Sequence, residues 1–297
     1  MSMAHRSSTP VLISAIVPIA GFPNGTNQIE SWIRDSSLSH FEVILVIDSE
    51  DDKTHNEAHR IGKVLSDLTK VKILISSARN PGGTRNLGLS SVSGDWVVFW
   101  DCDDVPIPSQ FFEMINQAVH KGSDIAIGAF VIQKGIDRSF KSCDTTPGEN
   151  VLESIALNPG MWRFAFKSNL AKRINFHEMK MAEDQIYLTS IFETKPNLHI
   201  FGGHVYTYWQ YESNQLTSND SALNQLVAAL DIFVEKYKYK QCDPMLMVIM
   251  RLTLSALKKG RIQVKIAAVS RLLFVSLRHP KTLRSFWRLF RKIVTSK

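Results

Sequence analysis

The sequence predicts an α/β protein, a mostly parallel sheet flanked by helices, followed by a helical and basic C-terminal region. Three observations carry this. Strand-like and helix-like segments alternate from Val11 to Gln133. The strand-like segments are continuous apolar runs, the pattern of strands covered on both faces. The charge is also unevenly placed. The 297-residue chain has a formal net charge of +7, yet residues 241–297 hold 13 Lys and Arg against one acid, Asp243. The remaining 22 Lys and Arg and 27 acids leave residues 1–240 at −5. The basic character belongs to the tail and has to be explained there.

The elements follow in order. VLISAIV (Val11 to Val17) is a β-prone run stopped by Pro18. TNQIESWIRDSS sets Ile29, Trp32 and Ile33 at helical spacing, with Thr26 as cap. FEVILVID (Phe41 to Asp48) is a second strand, ending in an acid. A polar helix spans about Lys53 to Leu68, and VKILIS (Val71 to Ser76) is a third strand. NPGGTRNLGLSSV turns on Pro81, Gly82 and Gly83, then forms a short helix. DWVVFWD is a fourth strand, PSQFFEMINQAVHKG a helix ending at Gly122, and DIAIGAFVIQ a fifth strand. From Val151 to Tyr211 the pattern is mixed, and beyond about Ser221 it is helical. Residues 1–220 are therefore expected to form the α/β domain and residues 221–297 a basic amphipathic helical region.

Composition is ordinary for a soluble globular protein, with 44% hydrophobic and 21% charged residues. Cys102, Cys143 and Cys242 are an odd, widely spaced set. They suit a reducing compartment and form neither a disulfide framework nor a zinc pattern. MSMAHRSSTP lacks the apolar core of a signal peptide. No run of about 18 apolar residues marks a membrane span. The expected location is cytoplasmic.

In sheets of this kind ligands bind at the carboxyl ends of strands. Asp48 follows one such end and Asp101, Asp103 and Asp104 follow another, so both groups are expected on one rim. Three acids within four positions repel one another unless a cation or hydrogen bonds compensate them. A hard divalent ion would do so, Mg²⁺ or Mn²⁺ held by carboxylate oxygens against a diphosphate. Alternatively, Asp103 or Asp104 caps the helix that begins near Pro108.

The segment NPGGTRNLGLSSVSGDWVVFWDCDD resembles the nucleotide-sugar signature of family 2 glycosyltransferases, which have the GT-A fold. The opening strand with its proline (ISAIVP), the second strand ending in an acid (ILVID), the Arg-Asn pair and the D-x-D all occur in the family's order. The likeness covers roughly residues 11–217. It implies that Pro18, Asp48, Arg85, Asn86, Asp101 and Asp103 line the nucleotide, with Asp48 on the base. Asp101 would face ribose or metal, and Asp103 would bind metal. The chain departs from the family pattern after the second strand. Ile47 stands where the family has a first acid, and Ser49, Glu50, Asp51 and Asp52 follow. Cys102, between the two acids, reads as a small buried filler.

Downstream, MAEDQIYLTSIF places Glu183 and Asp184 at a helix start. By itself this is an ordinary acidic first turn. The resemblance, which extends through WRFAFKSNLAKRINFHE before it, implies that Asp184 is the base of an inverting transfer and that Glu183 supports the acceptor site. In FGGHVYTYWQYESNQLT, His204 is a candidate metal ligand or a structural histidine. Tyr208 and Trp209 either stack on a sugar or pack in the core.

The tail interleaves Leu283, Phe286, Trp287, Leu289 and Phe290 with Arg284, Arg288, Arg291 and Lys292. This suits a helix lying on an anionic membrane interface. The competing readings are apolar faces packed on the catalytic domain and, with no motif to support it, nucleic-acid binding. The expected protein is a metal-dependent inverting glycosyltransferase. It would use a nucleotide sugar, a UDP-sugar, on a hydroxyl of a glycan or lipid-linked acceptor at the inner face of the cytoplasmic membrane. The rivals are a nucleotidyltransferase and a non-catalytic nucleotide-binding scaffold. Against the first, the loop AGFPNGTN has no Lys or Arg.

Overall fold

The computed structural model describes residues 12–22, 25–141, 155–158, 160–210, 220–239, 243–278, 287, 290 and 291. Strands β1 (Ile13–Ile19), β2 (Phe41–Ile47), β3 (Lys70–Ile75) and β4 (Trp96–Phe99) lie in the order β3-β2-β1-β4, all parallel. The continuous apolar runs predicted that block. Beyond β4 the sheet becomes mixed. β8 (Phe164–Lys167) is antiparallel to β4 and to β6 (Ile125–Lys134), and β9 (Leu198–Trp209) runs parallel to β6. Two short strands, β5 (Val105–Pro106) and β7 (Asp137–Lys141), pair with β9 and β6.

β1 does not stop at Pro18. It continues to Ile19, with Pro18 in register with Val46 of β2. The carbonyl of Ile16 accepts from Trp100 on the β4 side, whereas that of Ile19 accepts from Asp48 on the β2 side. By alternation Pro18 faces the β4 side, where β4 has already ended at Phe99, so the missing N–H breaks no ladder bond.

Helices cover both faces. α1 (Asn27–Trp32), α2 (Asp52–Ser66) and α4 (Pro108–His120) close one face over Ala15, Val17, Leu45, Val98 and Trp100. On the other, α3 (Pro81–Ser90) and α6 (Glu183–Glu193) pack over Ile16, Val46, Val97 and Phe99. A four-residue helix, α5 (Ser168–Ala171), follows β8. Thr26 sits at the N-cap of α1 with no side-chain cap bond, and its hydroxyl donates to Glu30. At the opposite end of the sheet Glu42 is fully buried, bonded by Ser14 and Ser93 and paired with Lys72 at 3.0 Å. Burial alone would raise its pKa, but these partners hold it down at about 2.

The sequence suggested a turn at Pro81-Gly82-Gly83. Instead α3 starts at Pro81, with Asn80 as N-cap accepting from the Gly83 N–H at 2.8 Å. The glycines lie in the first helical turn for reasons of space. A Cβ on Gly82 would stand 2.0 Å from the His177 carbonyl oxygen. Gly→Ala in an unstrained, open helix position stabilises by about 0.4–1 kcal/mol. Here Gly82→Ala is expected to destabilise, by roughly 1–3 kcal/mol. A thermal melt of the variant reads the sign directly, and a raised Tm would contradict the contact.

α7 (Asp220–Tyr239), α8 (Asp243–Lys259) and α9 (Ile262–Arg278) form the C-terminal region. They share a third core that also takes in Ala156, Met179, Ala182 and Ile186. Lys236 of α7 bonds Ser190 and Glu193 of α6. These contacts support the packed reading of the tail for α7, α8 and the inner face of α9. The stripe from Leu283 to Lys292 lies mostly outside the described residues, although Trp287 is described and exposed. Among the described residues no helix is long and apolar enough to cross a membrane.

Candidate active site at the strand ends

β2, β1 and β4 are neighbours, so Asp48 after β2 and Asp101 after β4 flank the end of β1. Two interstrand spacings, about 10 Å, separate such positions. Asp48 Oδ1 accepts from the Arg79 N–H at 3.0 Å and Oδ2 from the Thr84 hydroxyl at 2.7 Å. Both donors lie around the start of α3, and Arg79 has φ 55, a left-handed conformation outside glycine. Asp48 thus fastens the α3 entry to the rim. Asn86 does comparable work further along, its amide donating to the Phe176 carbonyl at 3.0 Å and accepting from the Phe176 N–H at 2.8 Å. That side chain is engaged on backbone.

Arg85 is the centre of the site. It projects from α3, is buried, and donates through Nη1 to Glu183 Oε1 at 2.6 Å and through Nη2 to Asp101 Oδ1 at 2.9 Å. Burial opposes its charge, but Asp101, Glu183 and Asp184 more than offset this and hold the guanidinium protonated. One side chain therefore ties the end of β4 to the start of α6.

Glu183 and Asp184 begin α6 after Ala182, a buried residue at φ 66. A non-glycine residue in the left-handed region is strained, and such strain persists where surrounding structure enforces it. Burial pushes Glu183 up against the opposing Arg85 charge. Burial, then the Glu183 charge, push Asp184 up to about 7. Asp184 is half-buried.

Neither Asp103 nor Asp104 caps α4. Its N-cap is Ile107, and Asp35 accepts from the Ser109 N–H at 3.0 Å. Asp104 is buried and accepts from the Trp209 N–H at 2.7 Å, anchoring the end of β9. Its second oxygen is buried with no partner among the described residues. Burial, then Asp103 and Asp101, push Asp104 well above the usual carboxylate range. Burial and Asp101 push Asp103 to about 6. Asp101 is paired with Arg85 at 2.9 Å. An oxygen-rich, negative, partly buried donor set of this kind fits a hard divalent cation. Among the described residues no three His, Cys, Asp or Glu side chains converge as a metal cage. His204 Nε2 instead lies 2.8 Å from the Tyr206 carbonyl and 3.1 Å from the Thr207 hydroxyl. Any ion would therefore rely on donor oxygens as well as carboxylates.

Cys102 packs on the core near Gly21, its thiol raised by burial, which fits a filler. Tyr208 stacks on Trp162 at 5.5 Å, and Trp162 also stacks on Tyr206 at 4.5 Å. The Tyr206 hydroxyl accepts from the Asp101 N–H at 3.0 Å, so this aromatic stack supports the acid loop from below.

Sequence reasoning missed Arg251. This α8 residue donates to the Ala156 carbonyl at 2.7 Å, and its charge acts on Asp184. Burial lowers its pKa to about 10, with Asp184 opposing the shift. No local signal in the sequence marks it, since it is one of 13 cations in the tail.

The family model described as Glycosyl transferase family 2 matches residues 27–181, more than half the chain. A relative in Bacillus subtilis (strain 168), the uncharacterized glycosyltransferase EpsJ, is 24% identical over 230 residues. That alignment covers 69% of this chain and 63% of the relative, so the chain spans less than two thirds of its length. The S. aureus TarS fragment 1–349, solved with UDP-GlcNAc, matches with a TM-score of 0.61 at 15% identity, covering 91% of this chain and 92% of the fragment. A Pyrobaculum calidifontis mannosyltransferase, solved with GDP-Man and Mn²⁺, matches with a TM-score of 0.51 at 16% identity, over 98% and 89% of the chains. Both likenesses are of fold.

Proposed function

This chain belongs to glycosyl transferase family 2 and is a GT-A glycosyltransferase, and on that premise we propose that it moves a sugar from a UDP-sugar to a hydroxyl of a glycan or lipid-linked glycan. One observation carries the reading, the continuous charge line from Asp101 through Arg85 to Glu183, flanked in sequence by Asp103 and Asp184. It joins the acids of a donor rim to a carboxyl of near-neutral pKa, as a transfer needs.

Each group has a part. Asp48, about two strand spacings away, marks the nucleobase end of the rim. Arg85 fixes Asp101 and Glu183 relative to each other, so that donor and acceptor halves hold one geometry. Asp184, half ionised near neutrality, accepts the acceptor hydroxyl proton. The freed oxygen bonds to the anomeric carbon from the face opposite the phosphate. The bond from that carbon to the phosphate oxygen breaks, and the nucleoside diphosphate takes its electron pair. A divalent cation, Mn²⁺ or Mg²⁺, held by Asp101 and Asp103 would supply positive charge for the diphosphate.

The test is calorimetric titration of UDP into the full chain, with and without Mn²⁺, repeated on Asp103→Asn. The expected result is Mn²⁺-dependent binding of UDP that Asp103→Asn weakens by more than about tenfold. GDP titrated in parallel reads the base preference. UDP binding indifferent to both Mn²⁺ and the substitution would overturn the assignment of Asp103.

A further inference from the structure

We propose that the outer face of α9 is a docking surface for an anionic lipid bilayer. Ile262, Ile266, Leu273 and Leu277 are 68%, 62%, 55% and 81% exposed. Their spacing sets all four within about 60° of helical arc, in a stripe about 22 Å long. The opposite face is apolar too, and there Val264, Ala268 and Val275 are buried in the core shared with α7 and α8. The stripe is thus a second apolar face, without a partner among the described residues, on a helix that already has its packing. Single exposed apolar residues are commonplace, but a row of four is a patch.

Charge selects the occupant. Residues 241–297 carry 13 Lys and Arg against one acid. Of these cations, Arg251 turns inward to the Ala156 carbonyl and Arg271 pairs with Asp231. Lys258 and Arg261 are exposed just before the stripe, and Lys265 is half-buried at its flank. A second copy of this chain would bring two such segments face to face, and their repulsion opposes pairing. A negatively charged surface is attracted, and the apolar row can enter its headgroup region while the lysines reach the phosphates. Trp287, 67% exposed, adds an amphipathic ring of the type found at membrane interfaces. With no described helix able to span a bilayer, the contact lies along the surface. The inference deepens the reading above, and only its purpose rests on it: an enzyme held on the membrane meets a lipid-linked acceptor in two dimensions.

Co-sedimentation of the full chain with vesicles tests it, using phosphatidylcholine alone and phosphatidylcholine mixed with phosphatidylglycerol. Binding is expected to the mixed vesicles only, and to weaken with added salt. The double variant I266E/L273E, and separately K258E/K265E, should each bind roughly tenfold more weakly or worse. UDP titration of the same variants should match the parent, which shows the fold intact and separates this inference from the donor reading. The inference is overturned by equal sedimentation of parent and variants, by no binding to mixed vesicles, or by a dimer that I266E/L273E dissociates.

Discussion

Asp184→Asn is expected to lower kcat by about 10²–10⁴-fold, the range a positioned general base supplies, with UDP affinity unchanged. The amide keeps the size of the side chain and removes only proton acceptance. The pH profile gives the sharper readout. Burial and the Glu183 charge place the Asp184 carboxyl at about 7, and the base works only when ionised. The rate should rise as pH climbs toward that value and level above it. Below it, each pH unit lowers the ionised fraction about tenfold. The Asn variant should lose this limb. Arg251 adds a second check, because its positive charge favours ionised Asp184. Arg251→Met should move the limb to higher pH, the direction expected when a cation leaves the neighbourhood of an acid. A limb unmoved in both variants would assign the titration, and the base, to another group.

Arg85→Ala is expected to cost more than activity. The guanidinium and Glu183 are each about nine-tenths buried, whereas Asp101 is nearly one-third exposed. Deleting one partner of a buried pair leaves the other charged and desolvated, a loss of about 3–5 kcal/mol. Water around Asp101 screens its half, so a value near the lower end is expected. Direction with pH follows from the same charges. Without Arg85, the pKa of Glu183 rises further above its unfolded value, so the variant's deficit grows as pH rises and shrinks as Glu183 protonates in acid. Arg85→Lys keeps one charge but cannot reach both carboxylates in a fork, and should fall between parent and Ala. Urea unfolding across pH measures both, and an Ala variant as stable as the parent at neutral pH would remove Arg85 from the centre of the site.

Beyond these expectations lies the question of what could be read before folding. The β3-β2-β1-β4 block and its shared rim were legible, because strands covered on both faces leave continuous apolar runs and ligand rims follow their ends. The Glu183-Asp184 helix start was legible as an acidic first turn, and a role for it in a site is what the family resemblance implies. The reversal of direction at β8 was not legible, since an apolar run reports burial and not the direction of its neighbour. The start of α3 was read as a turn because Pro and Gly punctuate turns far more often than they open helices against a neighbouring backbone.

The sequence by itself determined the layering of the domain, the acids at the ends of β2 and β4, and the basic tail. Each of these is a local pattern, set within one element by periodicity, propensity or net charge. Tertiary structure alone decided that Arg85 joins Asp101 to Glu183, a residue 98 positions away. It also decided that Asn86 and Asp104 hold backbone of distant segments, and that Arg251 of α8 reaches the surroundings of Asp184. The order of strands and the crossing of helices set those pairings. In the unfolded chain the partners are separated and solvated. Their attraction becomes strong only where folding both brings them together and removes water from between them.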